Sequence, residues 1–247
     1  MTELVHYAAE GPLARITLDS PHNRNALSRQ LVTELLDALA RADTDDVRVV
    51  LLAATGSVFC SGADLSEAST VPMEEGARGI VELQRRILSL GKPVVTRVQG
   101  AVRAGGTGIV AASDVVVAAD RATFALTEVK LGLAPAVISL TVLPRMTSRA
   151  AALTCLGGEV FDAAAAREYG LVTTVVPAEE LDAAVEAQVA SLATGAAQGL
   201  RETKALLTRD LLAGIDRHAD AVVAQSARLF GSDEAREAMT AFLSRGR

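Results

Sequence analysis

Aromatic side chains are scarce in this 247-residue sequence, which has no Trp, two Tyr and five Phe. Half of the residues are nevertheless hydrophobic, so a core must be built from Ala, Val, Leu and Ile. Such small and branched side chains suit helices that pack closely against buried parallel strands. The composition therefore predicts an α/β protein that is long enough to bury a sizeable core.

Cysteine and histidine are also few, and acidic residues outnumber basic ones by 30 to 24. The two cysteines, Cys60 and Cys155, do not make a disulfide framework. His6, His22 and His218 lie far apart in sequence and have no ligand-type spacing with one another, so no metal site is expected. The formal net charge is −6 and no basic block occurs, which argues against a nucleic-acid partner.

Long apolar stretches are absent as well, because no uninterrupted run reaches the thickness of a bilayer. The first ten residues carry acids and lack a cationic start followed by an apolar run, so no signal peptide is expected. These features predict a cytoplasmic protein that does not contact the membrane.

Short apolar, β-branched runs predict the strands of the fold, and helical patterns lie between them. The predicted strands are Arg15–Leu18, Val47–Ala53, Val94–Val98, Asp114–Ala118 and Val172–Val176. The predicted helices before residue 177 are Gln30–Arg41 capped by Ser28, Glu74–Leu90, Gly106–Ala112, and Ala163–Tyr169 between Asp162 and Gly170.

From about Pro177 onward the strand signals stop. The predicted helices there are Glu179–Leu192, Leu200–Leu212, Asp216–Phe230 and Ser232–Leu243. The chain thus divides into an α/β body, residues 1–195, and a helical tail, residues 196–247. Because an isolated tail of this size buries little surface by itself, we expect it to pack on the body, on a partner subunit, or on both.

Two glycine-containing segments are the candidates for chemistry. Phe59–Leu65 follows the predicted strand Val47–Ala53, and Gln99–Gly108 follows Val94–Val98. The carboxyl ends of strands are where open α/β sheets place their ligands, and glycine lets a ligand approach the backbone closely. The second segment runs into a short helix, whose first N–H groups are unpaired and ready to receive an oxyanion.

Other chemistries fit these segments poorly. Gly106–Ala111 has a dinucleotide-binding pattern, but Asp120 lies only 14 positions after Gly106. In the dinucleotide-binding fingerprint the acidic residue lies about 20 residues after the glycines. Cys60 has no histidine in any motif to deprotonate it, so it is expected to be a small apolar filler. No serine-hydrolase motif occurs.

Five segments in a fixed order carry a family resemblance along nearly the whole chain. They are Asn25-Ala26-Leu27, Phe59…Gly62-Ala63-Asp64-Leu65, Gly100…Gly105-Gly106, Phe124…Glu128…Leu131-Gly132, and Phe161-Asp162-Ala163…Ala166…Gly170-Leu171-Val172. This set resembles the crotonase (enoyl-CoA hydratase/isomerase) family. The resemblance implies a spiral of repeated ββα units with a C-terminal helical trimerisation region, assembled as a homotrimer or as a hexamer of two trimers.

The resemblance also implies the site residues. The backbone N–H groups of Ala63 and Gly105 would form an oxyanion hole for a thioester oxygen, and loss of one such donor typically costs on the order of 3 kcal/mol. Residues implied in CoA and substrate binding are Ala26, Ala63, Asp64, Leu65, Ser66 and Gly105. No separate cofactor is implied, because coenzyme A is part of the substrate. Basic residues such as Arg24 are candidates for contacting its 3′-phosphate.

Glu128 is the implied acid–base group. Its apolar flanks predict a raised pKa, which suits proton transfer. Hydratases of the family usually have a second glutamate three residues after the oxyanion glycine, but Gly108 stands there in this sequence. The segment Thr127–Ala136 nevertheless looks most like hydratase-like members with Gly at this place.

Three functions remain open at this stage. Enoyl-CoA hydratase leads, in fatty-acid or branched-chain acyl catabolism. An enoyl-CoA isomerase that moves a double bond from position 3 to position 2 needs only one carboxylate and is the near alternative. A non-catalytic CoA-binding subunit is the third. Glu74 and Glu75 lie in a probable pocket-side helix and could supply a second acid, although carboxylates on a helix surface are usually just solvated.

Overall fold

The structure is a computed structural model that describes residues 2–69 and 73–245. The strands in chain order are β1 (Val5–Glu10), β2 (Leu13–Leu18), β3 (Val49–Ala54), β4 (Val58–Cys60), β5 (Val94–Val98), β6 (Ala101–Arg103), β7 (Val115–Ala119), β8 (Thr123–Ala125), β9 (Phe161–Asp162) and β10 (Thr174–Val176). The α-helices are α1 (Arg29–Thr44), α2 (Met73–Ser89), α3 (Gly105–Ala112), α4 (Ser139–Arg145), α5 (Ser148–Gly157), α6 (Ala163–Tyr169), α7 (Leu181–Ala193), α8 (Ala197–Phe230) and α9 (Asp233–Arg245).

The larger of the two sheets has the strand order β1-β2-β3-β5-β7-β10. All neighbours in it are parallel except β1 and β2, which are antiparallel. Every residue of β3 is buried, because α1 packs on one face of the sheet and α7 on the other. The five predicted strands all lie in this sheet, and the predictions are confirmed to within two residues at each end.

A second, smaller sheet has the order β4-β6-β8-β9, with β4, β6 and β8 parallel to one another. Its strands are two or three residues long, too short to give an alternating pattern, and the sequence did not predict them. The prediction that the two glycine segments follow strands of the large sheet is confirmed, since Phe59–Leu65 comes after β3 and its turn and Gln99–Gly108 comes directly after β5. Each segment also contains residues of a short strand, β4 or β6, which places both at the edge of the small sheet.

The predicted helix termini in the body are confirmed. The Ser28 side chain accepts a hydrogen bond from the Leu31 N–H, and Asp162 accepts from the Ala165 N–H. Gly170, at φ +99°, ends α6 in the left-handed conformation that favours glycine. Local hydrogen bonding of these caps explains why the sequence alone located them.

Two helical predictions differ from the structure. The segments Leu200–Leu212 and Asp216–Phe230 form one continuous helix, α8, because Gly214 lies within it and Ile215 is fully buried. Helices α4 and α5 were not predicted. Their sequences give weak amphipathic signals, since α4 has only seven residues and contains Pro144.

The helical tail packs on the body through a buried ion pair. Lys204 of α8 reaches Asp114 at 2.7 Å, and both side chains are mostly buried. The Lys204 ammonium also donates to the carbonyls of Ile87 and Lys92, and Asp114 accepts from the Val94 N–H. Burial lowers the pKa of Lys204, although the Asp114 charge opposes this shift. The packing of the tail on the body agrees with one of the arrangements expected from the sequence.

Asp114→Asn is expected to lower the free energy of unfolding by about 3 kcal/mol, because it leaves the Lys204 charge buried without its counter-ion. Chemical denaturation would measure this change. As a matched control, Asp210→Asn removes one partner of an exposed pair with Arg209 and should change the stability by less than about 1 kcal/mol. Equal effects of the two substitutions would contradict the structural role given to the buried pair.

Candidate active site

Three parallel strands of the small sheet end side by side, and a predicted site residue follows each of them. Cys60 of β4 pairs with Val102 of β6, and Arg103 of β6 pairs with Ala125 of β8. The chain then runs from β4 to the Ala63 segment, from β6 to the Gly105 segment and from β8 to the Glu128 segment. The sheet therefore gathers the three predicted groups at one edge.

The first segment turns sharply at Gly62, which has φ +91°. The Gly62 carbonyl accepts a hydrogen bond from the Leu27 N–H at 2.8 Å, and Leu27 forms an isolated parallel bridge with Ala63. Ala26 is buried next to this bridge. The structure thus brings the predicted binding residues Ala26 and Ala63 together, although they are far apart in sequence.

In the second segment, α3 begins at Gly105. The preceding residue, Ala104, has an unusual backbone conformation with φ +45°. The two segments touch: a Cβ at position 62 would lie 3.4 Å from the Gly105 nitrogen and 2.8 Å from the Ala104 Cβ. A Cβ at Gly105 would lie 2.8 Å from the Leu27 side chain. Position 62 therefore requires glycine, because its positive φ and its close contacts both disfavour a side chain, whereas a side chain at position 105 would force Leu27 to move.

Both predicted oxyanion donors are free to bind a ligand. Among the described residues, no hydrogen bond uses the N–H of Ala63 or that of Gly105. The Gly105 N–H is free because it belongs to the first turn of α3, where no preceding carbonyl is available. The positive end of the helix dipole lies at the same place, so this turn favours a ligand atom that carries negative charge.

Cys60 belongs to the first segment and packs against Gly106 of the second. It is fully buried, and a Cβ at Gly106 would lie 3.1 Å from its sulfur. Burial raises the pKa of the Cys60 thiol to about 12, while a hydrogen bond from the Gly62 backbone opposes this shift. The thiol is therefore neutral at physiological pH, which agrees with the interpretation of Cys60 as a small filler and not a nucleophile.

Glu128 follows β8 in a short 3₁₀ turn, Thr127–Leu131. Its Oε2 atom is buried and has no hydrogen-bond partner. Burial raises the pKa of the Glu128 carboxyl to about 7, and a hydrogen bond from its own backbone N–H opposes this shift only weakly. Neighbouring cations do not stabilise the charge, since Lys130 pairs with Glu159 and Arg121 donates to the Gln99 carbonyl. Such a group exchanges protons readily at neutral pH.

The remaining predicted binding residues form a turn next to Ala63. The Asp64 carboxylate accepts hydrogen bonds from the Ser66 backbone and hydroxyl and from the Asn23 amide. Leu65 begins the 3₁₀ turn Leu65–Ser69. The Asp64 carboxylate is therefore occupied by hydrogen bonds that stabilise the loop. The backbone of the loop is the part that can bind a ligand. The sequence indicates that the loop Ser66–Arg78 helps to shape the acyl pocket, and residues 70–72 of that loop lie outside the described residues.

Arg24 lies close to this turn in the left-handed conformation, with φ +62°, and Asn25 follows it with φ +53°. The buried Asn25 side chain donates to the carbonyls of Thr55 and Val58 and accepts from the Ser20 N–H. These hydrogen bonds offset the cost of the left-handed backbone and fix the turn. Arg24 is thereby held next to the predicted CoA segment.

The space beside Gly108 is filled by the protein. A Cβ at this position would lie 2.8 Å from the Ile138 Cγ2 atom and 3.3 Å from the Gln84 Oε1 atom. Both of these side chains are buried. A glutamate at position 108 would therefore collide with its neighbours, so no second acid fits there without repacking.

The two surface glutamates do not replace that acid in this structure. Glu74 pairs with Arg78, and Glu75 pairs with Arg29, with all four side chains about half exposed or more. They match the interpretation of ordinary solvated helix carboxylates. Glu128 therefore stands out as the carboxyl group that combines burial, a missing partner and a neutral-range pKa.

The sequence analysis missed Gln84, Thr141 and Ile138, which surround Gly108. A signal for Gln84 was present, because it follows Ile80 by four residues and so lies on the apolar face of α2. A polar residue on that face indicates a buried hydrogen-bonding partner. No comparable signal marked Ile138, whose role depends on a contact between distant segments.

The described residues contain no group of three or more His, Cys, Asp or Glu side chains that could hold a metal ion. Of the helices within residues 2–69 and 73–245, none combines the length and the apolar character needed to cross a membrane.

Comparison with known proteins gives consistent matches along the whole chain. The family model described as enoyl-CoA hydratase/isomerase matches residues 8–247. A crystal structure of an enoyl-CoA hydratase from Mycobacterium avium is 49% identical, covers 99% of this chain and 98% of its own, and has a TM-score of 0.93. The 1,2-epoxyphenylacetyl-CoA isomerase of Escherichia coli is 30% identical over an alignment of 255 positions, which covers 99% of this chain and 97% of that protein.

Proposed function

This chain belongs to the enoyl-CoA hydratase/isomerase (crotonase) family, and on that premise we propose that it is an enoyl-CoA hydratase that adds water to a 2-enoyl-CoA thioester. It has the crotonase fold and is an enzyme of this family. The observation that carries the proposal is the Glu128 carboxyl, whose buried Oε2 atom has no hydrogen-bond partner and whose pKa is raised to about 7, after the strand that ends beside those leading to the Ala63 and Gly105 segments.

In the proposed reaction, the thioester oxygen binds between the N–H groups of Ala63 and Gly105. Both donors are unoccupied, and the turn of Gly62 and the start of α3 fix their backbones. Negative charge develops on this oxygen when the thioester becomes an enolate. Donors that are already oriented stabilise that charge without reorganisation, which is how such a site lowers the barrier.

Glu128 provides the acid and the base in turn. Its carboxylate takes a proton from water, the water oxygen bonds to the β carbon, and the electron pair of the double bond moves onto the thioester to form the enolate. The protonated Glu128 then returns the proton to the α carbon, and the carbonyl reforms. One carboxylate therefore suffices for a complete hydration, and Glu128 ends the cycle ionised as it began.

We further propose that the backbone around Ala26 and the stretch Ala63–Ser66 hold the CoA moiety. The bridge between Leu27 and Ala63 brings these segments together, and the Asp64 carboxylate is occupied by the loop itself. Coenzyme A enters as part of the substrate, so the proposal requires no separate cofactor. A homotrimer or hexamer remains our expectation for the assembly, and exposed leucines such as Leu153 and Leu156 of α5 supply apolar surface for it.

A second candidate function is an enoyl-CoA isomerase that converts a 3-enoyl-CoA into a 2-enoyl-CoA. The specific observation in its favour is the filled space beside Gly108, which leaves Glu128 without a second acid. In this reaction Glu128 takes a proton from carbon 2 and returns it to carbon 4, with the same oxyanion hole. The name of the E. coli relative, an isomerase, is compatible with this alternative.

A direct assay separates these functions. The purified protein would be incubated with a 2-enoyl-CoA and, separately, with a 3-enoyl-CoA, and the products identified by chromatography and mass. We expect the 2-enoyl-CoA to gain the mass of one water and to yield a 3-hydroxyacyl-CoA.

Conversion of the 3-enoyl-CoA without a change of mass, and with no hydration of the 2-enoyl-CoA, would replace the hydratase by the isomerase. Retained CoA binding without turnover of either compound would refute both activities and leave a non-catalytic CoA-binding subunit. A panel of acyl chains of different length and branching would then define the substrate.

A further inference from the structure

A fully buried glutamine, Gln84, lies in the middle of α2 and faces α3. Its Nε2 atom donates to the Ile80 carbonyl at 3.1 Å and to the Val137 carbonyl at 3.0 Å. Its Oε1 atom accepts from the Thr141 hydroxyl at 2.6 Å. Both amide hydrogens and the amide oxygen therefore have partners, so the side chain is held in one orientation.

Thr141 lies beside α3. It is also fully buried, and its single hydroxyl proton is donated to the Gln84 Oε1 atom at 2.6 Å. The Gly108 carbonyl oxygen lies 3.3 Å from the same hydroxyl and competes for that proton. Thr141 lies in α4 and Val137 just before it. The hydrogen bonds therefore join α2 to the start of α4, and both side chains pack against the second turn of α3, whose first turn carries Gly105.

The glycines of α3 pack closely on side chains of α2. A Cβ at Gly105 would lie 3.6 Å from the Ile80 side chain, and a Cβ at Gly108 would lie 3.3 Å from Gln84. Ile80 and Gln84 are four residues apart and therefore share one face of α2. The glycines of α3 lie directly on that face, so a displacement of α2 would displace the start of α3.

We propose that Gln84 and Thr141 are positioning residues that orient α3 and so aim the Gly105 N–H at the substrate oxygen. This inference rests on the proposed function, since it assigns the network a purpose in thioester binding. An apolar pair would fill the same space with less desolvation cost, but it would lack directional contacts. Ile138 completes the cluster on the other side of Gly108.

The test uses Gln84→Met and Thr141→Val, which keep the approximate shape of each side chain and remove its hydrogen bonds. Thr141→Ser retains the hydroxyl and serves as the conservative rescue. The matched control is Thr208→Val, which removes an equally buried threonine hydroxyl of α8 that donates within its own helix to the Lys204 carbonyl.

Two readouts separate positioning from stability. The first is the split between kcat and KM for the enoyl-CoA that the enzyme converts. The second is the infrared frequency of the thioester carbonyl in bound butyryl-CoA labelled with ¹³C at the carbonyl. Butyryl-CoA has no double bond to hydrate, and its carbonyl frequency falls as the oxyanion donors bind more strongly.

We expect Gln84→Met and Thr141→Val to lower kcat by at least about tenfold, with KM changed by less than about threefold. Bound butyryl-CoA should show a smaller carbonyl shift in both variants. Thr141→Ser should restore both values, and Thr208→Val should leave both unchanged even where it lowers the melting temperature.

An unchanged kcat and carbonyl shift in folded Gln84→Met would overturn the inference alone. If the wild-type protein shows no turnover, the proposed function fails, and the carbonyl shift of bound butyryl-CoA still decides whether the network orients α3. If the wild-type protein causes no carbonyl shift at all, the inference is overturned together with the oxyanion hole.

Discussion

Glu128→Gln is expected to reduce kcat by about 10³-fold, in the range typical for loss of a general acid–base group. Glutamine has nearly the same shape but neither accepts nor releases a proton at neutral pH. Position 108 supplies no second carboxyl group to take over, because it is a glycine and Ile138 and Gln84 fill the space beside it. Steady-state kinetics with the convertible enoyl-CoA would measure the change, and near-normal turnover would refute the assigned role of Glu128.

The same residue should set the pH dependence of the wild-type enzyme. Glu128 acts first as a base, so its ionised form is the active one. Since burial raises the pKa of the Glu128 carboxyl to about 7, kcat/KM should fall as the pH is lowered through about 7. One acidic limb is expected and not two, because one carboxyl group carries both proton transfers.

The contribution of Glu128 to stability should fall as the pH rises, whereas activity should increase. The folded-state pKa of Glu128 lies above its ordinary value of 4.5, so the folded protein binds more protons between pH 4.5 and 7. The resulting stabilisation is complete below pH 4.5 and is lost as the pH rises to about 7. At pH 8 the buried carboxylate costs up to about 3 kcal/mol, and Glu128→Gln should be more stable than the wild type there. Denaturation at pH 5 should show a much smaller difference between the two proteins.

Gly62→Ala is expected to lower kcat by about a hundredfold. The alanine would hold a strained backbone at φ +91°, and its Cβ would lie 2.8 Å from the Ala104 Cβ and 3.4 Å from the Gly105 nitrogen. Relief of these contacts must move one or both oxyanion donors, and a displacement of about 1 Å costs on the order of a hundredfold in rate. Kinetics together with the carbonyl frequency of bound butyryl-CoA would detect the displacement.

Gly214→Ala is the matched control for this glycine substitution. Gly214 lies inside α8, and a Cβ there would meet nothing within 4 Å. The alanine should stabilise the protein by about 0.5–1 kcal/mol without changing kcat. A loss of activity in this control, or full activity in Gly62→Ala, would contradict the role given to Gly62 in placing the oxyanion donors.

Local patterns in the sequence were enough to locate much of the fold. The five predicted strands of the large sheet are rich in apolar, β-branched residues, and β3, which helices cover on both faces, is a continuous apolar run. Caps such as Ser28 and Asp162 were found because their hydrogen bonds join residues three positions apart. The family resemblance added the order of the motifs, and with it the positions of Ala63, Gly105 and Glu128.

Features that depend on contacts between distant segments were not predicted. Strands β4, β6 and β8 have three residues each and exist because they pair with one another, not because of an alternating pattern. The sequence predicted two tail helices with a break around Gly214. The structure has one continuous helix there, α8, because Ile215 is buried within it. The Gly108–Ile138 contact joins residues 30 positions apart. The sequence therefore showed that the second acid is missing but did not indicate which side chain occupies its place.

The ion pair between Lys204 and Asp114 has a consequence for how the chain unfolds. Detaching α8 from the body would expose a buried ammonium and, at the same moment, leave a carboxylate and two carbonyls without their donor. Detachment of α8 alone therefore has most of the free-energy cost of complete unfolding. Residues 1–195 and 196–247 differ in topology, yet they should lose their structure in one cooperative transition and not in two.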